Sequence, residues 1–90
     1  MTTVTGRLIA ANASEADLIR SYLPDHIRLS RAEPGCLSFN VYPTDDPLVW
    51  RLEESFSDQA AFEAHQARTR ASAWYKATAH LRRDFRISGH

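Results

Sequence analysis

Cysteine, glycine, proline and lysine are all scarce in this chain, with one cysteine, three glycines, four prolines and one lysine in 90 residues. A lone Cys36 excludes an intramolecular disulfide framework and any multi-cysteine metal site. Phosphate-cradling loops need clustered glycines, and no GxGxxG, GxxxxGK[ST] or GxSxG motif is present. No apolar run approaches the roughly 18–20 residues of a membrane span, and no signal peptide heads the chain, so no membrane partner and a reducing cytoplasm are expected. Net charge is also lacking: 11 basic residues balance 11 acidic ones. By composition the chain is not a polyanion binder, and no nucleic-acid partner is expected. His26, His65, His80 and His90 lack HxxxH or HxH spacing, so no metal is expected.

What is present is globular. Leu, Ile, Val and Phe total 19 and Ala 13, enough for one small core. A chain of this length makes a single domain over 1–90. Such a domain buries only roughly 60–65% of its unfolded surface, so self-association is a natural route to stability. Basic residues concentrate at 68–86, where Arg68, Arg70, Lys76, Arg82, Arg83 and Arg86 face one Asp84. This stretch is either an anion-binding face or a solvated helix plus an edge strand.

Residues 3–11 predict a strand with β-branched and apolar residues on both faces, hence covered on both sides. Ser14 and Asp17 approximate a capping box. The following helix carries Leu18, Ile19, Tyr22, Leu23, Ile27 and Leu29 as its stripe, with a kink or restart expected at Pro24. Glu33-Pro34-Gly35 ends it, with Gly35 supplying a positive φ. Residues 36–42 alternate, with Leu37, Phe39 and Val41 on one face and Cys36, Ser38, Asn40 and Tyr42 on the other. After a turn at Pro43–Pro47, residues 48–56 place Trp50, Leu52, Glu54 and Phe56 on one face, completing a hairpin. Ser57 or Asp58 caps a second helix with Ala61, Phe62 and His65 on one side, continuing helically through 70–80. Residues 82–88 alternate again, with Arg83, Phe85 and Ile87 together. The order β-α-β-β-α-β predicts a ferredoxin-like α+β fold. It has a four-stranded antiparallel sheet with both helices on one face. The other face still carries apolar side chains and needs a cover, which a second sheet from another subunit would supply.

His65 lies on the sheet-facing side of the second helix. There it is either a general base or acid near neutral pH or a core histidine satisfied by one hydrogen bond. Glu54 sits on an otherwise apolar strand face. Such a carboxylate needs a partner or a proton, and His65 or an arginine could provide it. Asn40 and Ser38 could orient a polar substrate or lie at an interface. Phe39, Trp50, Phe62, Trp74 and Tyr75 form either an aromatic slot or plain core. Arg68 and Arg70 suit a phenolate or carboxylate, or open solvent. Cys36 shows no sign of activation.

The runs Glu33-Pro34-Gly35-Cys36-Leu37 and Leu52 to His65, the latter holding Glu54, Phe56, Asp58, Ala61, Phe62 and His65 in an E-x-F-x-D-x-x-x-F-x-x-H spacing, resemble the antibiotic biosynthesis monooxygenase family. The resemblance covers essentially the whole chain. It implies a dimeric α+β barrel, with two sheets packed face to face, and a pocket between sheet and helices. It also implies cofactor-free oxidation of a quinol or hydroxyanthrone-like aromatic by molecular oxygen. On that resemblance His65 is the base or polarises the phenol. Arg68 or Asn40 steadies the anion, and Trp74 and Phe62 wall the ring. Thr69-Arg70-Ala71 replaces the Pro-His-Phe common in the family. His65, and Gly6 or Arg7, stand where haem-degrading relatives carry Trp and Asn, which argues against haem degradation.

Three classes remain open on sequence. One is a cofactor-independent monooxygenase. The second is a small-molecule-binding or isomerase member of the same scaffold. The third is an anion or nucleic-acid module built on the Arg-rich segment, which zero net charge counts against.

Overall fold

The computed structural model describes residues 1–89; His90, one of the four histidines, lies outside them. The elements are β1 (Thr2–Ile9), α1 (Ala13–Arg31), β2 (Cys36–Pro43), β3 (Val49–Phe56), α2 (Gln59–Arg70), α3 (Ala73–Thr78) and β4 (Arg82–Gly89). The four strands form one antiparallel sheet in the order β2-β3-β1-β4. The helices pack on one side of it. This is the ferredoxin-like arrangement, with the second helix divided in two.

The division at Ala71-Ser72 departs from the continuous helix expected there. Ser72 explains it: its hydroxyl donates to the Thr69 carbonyl at 2.6 Å and accepts from the Tyr75 amide at 3.1 Å. One side chain thus closes α2 and caps α3. Asp58 caps α2 by accepting from the Ala61 amide at 2.8 Å. The cap of α1 differs from the Ser14–Asp17 expectation. Asn12 accepts from the Glu15 amide, and Glu15 reaches back to the Ala11 amide at 2.7 Å. This is the same reciprocal logic shifted two residues earlier. Pro24 neither stops nor restarts α1, which runs through it as one helix. The buried stripe of α1 is Ala16, Ile19, Leu23, His26 and Ser30, while Tyr22 and Leu29 are 39% exposed. The true stripe steps by three and four residues, and it includes a histidine and a serine in place of two large apolar residues.

Two glycines act by close approach. Gly6 has φ +154°, and a β-carbon there would strike the Asp84 backbone of β4. Gly35 has no positive φ, contrary to expectation. Its missing side chain instead lets the Ala61 methyl of α2 lie against the turn, and its carbonyl accepts from the Ser57 amide at 2.8 Å. The Glu33-Pro34-Gly35 turn is thereby docked onto the start of α2.

The alternation of β2 is broken at its start. Cys36 pairs with Phe56 and Ser38 with Ser55, so Leu37 is an extra, bulged residue and is 60% exposed. From Ser38 onward the parity holds, with Phe39 buried. On β3, Trp50, Leu52, Glu54 and Phe56 all face the helices and are buried, as the alternation predicts.

The opposite sheet face is mainly polar and carries only a few of the apolar side chains expected there. The pairing register groups Thr3, Thr5, Arg7, Ser38, Asn40, Arg51, Glu53, Ser55, Arg82, Asp84, Arg86 and Ser88 there, with Ile9, Tyr42 and Val49. Arg7 pairs with Asp84 at 2.8 Å, and the Ser38 and Ser55 hydroxyls meet at 2.6 Å. β1 is therefore covered by apolar side chains only on its helix side. The Arg-rich segment does not form one patch either. Arg68 turns inward, Arg83 reaches the helix side, and Arg82 and Arg86 lie on the outer face.

The core has two parts. One holds Leu8, Ala10, Ala16, Ile19, Leu23, Trp50, Trp74 and Leu81; the other holds Val4, Leu52, Phe56 and Phe62. Between them the packing opens into a cavity. No helix among the described residues is long and apolar enough to cross a membrane.

Candidate functional site

The cavity measures about 240 Å³ and draws its walls from both core parts, with Leu8, Leu23 and Trp74 on one side and Val4, Leu52 and Phe62 on the other. Its polar lining is His26, Glu54, His65, Gln66, Thr69, Arg70, Tyr75 and Arg83. A mostly apolar hollow with a few convergent polar groups is the usual form of a small-molecule site.

His65 is buried on α2, at 3% exposure. Its ring is packed by Phe56 at 4.9 Å and Phe39 at 5.5 Å between centroids. Its Nδ1 lies 2.9 Å from Glu33 Oε1. The second Glu33 oxygen accepts from Arg68 Nε, and Arg68 Nη2 donates to Ser30 Oγ at 2.9 Å. Glu33 is thus a nearly buried carboxylate shared between a guanidinium and an imidazole. The docked turn places it there, since Pro34 and Gly35 hold the chain against α2 while Glu33 reaches back along it. With a carboxylate at Nδ1, that nitrogen carries the ring proton and Nε2 keeps its lone pair. Nε2 faces Thr69 Oγ1 at 3.4 Å and Glu54 Oε1 at 3.7 Å.

The second distance is too long for a hydrogen bond. Among the described residues nothing hydrogen-bonds the Glu54 carboxyl. Burial, followed by repulsion from Glu33, raises its pKa from 4.5 to about 8. At neutral pH Glu54 therefore holds a proton. Burial lowers the pKa of His65, the Glu33 carboxylate opposes that shift, and Arg68 adds to it. A neutral imidazole whose Nε2 meets only the Thr69 hydroxyl, at 3.4 Å, thus stands beside a protonated carboxyl. These are a base and an acid, both bordering the cavity.

The structure sorts the expected site residues. His65, Glu54, Phe62 and Trp74 all line the cavity. Asn40 does not. Its position in β2 puts it on the outer sheet face opposite Glu53, where Arg31 Nη2 donates to its Oδ1 at 3.2 Å. Arg68 does not reach the cavity either, because its guanidinium is committed to Glu33 and Ser30. The cations that do border the cavity are Arg70 and Arg83. Arg83 is anchored by donating to the Thr78 carbonyl at 2.7 Å and to the Thr78 hydroxyl at 3.0 Å. Glu33 and His26 were not expected in the site. Glu33 reads in sequence as part of a helix stop. His26 betrays itself only by its three- and four-residue spacing from Leu23 and Ser30 on the true stripe of α1. Among the described residues no group of three or more His, Cys, Asp or Glu side chains is arranged to hold a metal ion.

The sequence profile of the antibiotic biosynthesis monooxygenase family matches residues 1–77, and the chain belongs to that family. No curated protein matches it significantly. Solved structures do. A Nitrosomonas europaea protein named for the same family is 21% identical, with TM-score 0.77, over 98% of this chain and 97% of its own. A Deinococcus radiodurans protein named likewise is 27% identical, with TM-score 0.76, over 98% and 88%. SnoaB, a cofactor-independent oxygenase from Streptomyces nogalater, is 14% identical, with TM-score 0.80, over 99% and 91%.

The site predicts a pH signature in stability. Glu54 binds its proton more tightly folded than unfolded, so its contribution is lost as pH rises from 4.5 through about 8. His26 behaves oppositely: burial, then His65, Arg68 and Arg83, lower its pKa from 6.5 to about 3, so its contribution is lost as pH falls through that range. Above 6.5 only the Glu54 effect remains of these two. Between pH 6.5 and 8 the wild type should lose about 1–2 kcal/mol of stability relative to Glu54→Gln. Denaturant melts at both pH values test this; equal slopes in the two proteins would contradict it.

Proposed function

We propose that this protein is a cofactor-independent monooxygenase that oxidises a small electron-rich phenol of the quinol or hydroxyanthrone type with molecular oxygen. The observation that carries the reading is the His65 imidazole. It is fixed through Nδ1 by Glu33 and turned by Nε2 to a cavity walled by Phe39, Phe62 and Trp74. The family membership and the likeness to SnoaB support it.

In the proposed reaction His65 takes the phenol or methylene proton at Nε2, and Glu33 stabilises the imidazolium that forms. The apolar walls keep water from the resulting anion, and Arg83 and Arg70 offset its charge. The anion passes one electron to oxygen, and the two radicals join through a carbon–oxygen bond to give a peroxide. A proton from Glu54 or His65 converts the peroxide to a hydroperoxide. Loss of the carbon-bound hydrogen and cleavage of the O–O bond then release water and leave a carbonyl. One oxygen atom enters the product and the other leaves as water; the substrate supplies both electrons and both hydrogens, from the ring methylene of a hydroxyanthrone or from one ring C–H and one phenolic O–H of a quinol. A cavity of about 240 Å³ suits a compact, planar fused aromatic, being just below the usual range of roughly 300–1,000 Å³.

A base beside an acid also suits moving a proton between two positions of one ligand, which favours an isomerase as the second reading. Oxygen consumption separates them. Purified, metal-stripped protein should consume oxygen with hydroquinones, naphthoquinols or hydroxyanthrones. His65→Ala should lower kcat by about 10²–10⁴-fold. No uptake above the spontaneous rate, with tautomerisation of the same compounds, would transfer the site to the isomerase reading.

We further infer that two copies associate through the bare sheet face. Its support is a sheet covered on one side only, whose outer face carries Arg7, Arg51, Arg82 and Arg86 with Glu53 and Asp84. These charges let one copy complement another. Light scattering at micromolar concentration should give the mass of two chains; one chain's mass would reject the association.

A further inference from the structure

His26 is unexplained by the mechanism above. It is 6% exposed on α1 and lines the cavity. Its ring stacks on Trp74, 4.9 Å away and within 9° of parallel, and meets Phe39 edge-on at 5.3 Å. Its centroid is 6.0 Å from that of His65. No group among the described residues hydrogen-bonds either ring nitrogen, and Nδ1 is sealed from solvent with no partner. Leaving a buried polar atom unpaired is costly, and nearly all such atoms in folded proteins are satisfied. A phenylalanine would keep the stack on Trp74 and the edge contact to Phe39 without that cost. The packing alone does not account for a histidine here. Nδ1 is closed off, but Nε2 is not sealed, so a ligand or an ordered water in the cavity has that nitrogen to bond and gives the histidine a use.

The groups around His26 limit what it can do. His65 and Arg68 on α2 and Arg83 on β4 all oppose a positive charge on it, as does its own burial. The carboxyls nearby are Glu54 on β3, which holds its proton, and Glu33, which is committed to Arg68 and His65. His26 is therefore a neutral imidazole, with one nitrogen that donates and one that accepts. Of the polar groups lining the cavity, His65 and Glu54 come from α2 and β3, and His26 comes from α1.

We propose that His26 is a ligand-anchoring residue that sets specificity, its imidazole hydrogen-bonding a hydroxyl on the ring edge opposite the one engaged by His65. The ligand class is then an aromatic carrying oxygen on two edges, and a single phenol leaves His26 unpaired. This rests on the cavity taking a phenol at His65, the reading given above, but needs no turnover.

The test is equilibrium binding without oxygen, followed by tryptophan fluorescence. The probes are 1,4-dihydroxynaphthalene and 1-naphthol, with wild type and His26→Phe. Wild type should bind the dihydroxy probe roughly tenfold tighter, as one net hydrogen bond implies. His26→Phe should bring the dihydroxy probe down to the naphthol affinity and leave naphthol unchanged. Equal affinities in wild type, or an equal loss for both probes in the variant, would overturn the anchoring role while leaving the phenol site at His65 standing. Failure of both probes to bind wild type would overturn both. Should the variant not fold, nitrogen-15 spectra of the wild-type histidines decide. The His26 nitrogens should shift with 1,4-dihydroxynaphthalene and not with 1-naphthol, and no difference between the probes would overturn the proposal.

Discussion

The buried Glu33 carboxylate is the constraint on which the site depends. It ends a helix, begins a strand connection and is shared between Arg68 and His65. A lone carboxylate this enclosed would be costly, and the Arg68 guanidinium offsets most of that cost. Because Arg68 itself is tied to Ser30, the pair is braced from α1 as well as α2. Three elements thus converge on one oxygen pair. The imidazole orientation follows, because only Nδ1 can face Glu33 and Nε2 must then face the cavity. The charge state of Glu54 rests first on its own burial, and the Glu33 anion beside it then disfavours a second negative charge, so Glu54 keeps its proton.

The backbone explains why Glu33 can be there. Gly35 admits the Ala61 methyl, which brings the turn onto α2 close enough for one glutamate side chain to span the gap. The bulge at Leu37 then lets Cys36 and Phe39 both lie on the helix side, so Phe39 reaches the rings of His26 and His65. The helix break at Ser72 gives α3 its own start, which carries Trp74 onto His26. The turn, the bulge and the helix break thus act on the cavity from outside it, by placing Glu33, Phe39 and Trp74. The strands supply much of its lining, Glu54 and Arg83 included.

Much of the fold was legible. Period-two alternation on β3 identified the buried face including Glu54, and helical spacing placed Phe62 and His65 on one side. Strand and helix order alone defined the topology. What was not legible depended on single hydrogen bonds or on pairing register. A serine dividing one helix into two leaves no mark in hydrophobic periodicity. A bulge is invisible until the partner strand is known, and its consequence was the misplacement of Leu37. Asn40 was sorted to the outer face by strand parity, but whether that face borders a ligand is a tertiary fact. Arg68 and Glu33 are 35 residues apart in sequence, and neither position signals the other. His26 was obscured because Tyr22 and Leu29 suggested a stripe rotated away from the real one.

The most direct test of this account is the tautomer of His65, read from nitrogen-15 chemical shifts and nitrogen–carbon proton correlations at neutral pH. The account predicts a neutral ring with its proton on Nδ1, facing Glu33, and a lone pair on Nε2. In Glu33→Gln that preference should weaken. A ring protonated on Nε2, or an imidazolium at neutral pH, would leave the cavity without its base and would contradict the account.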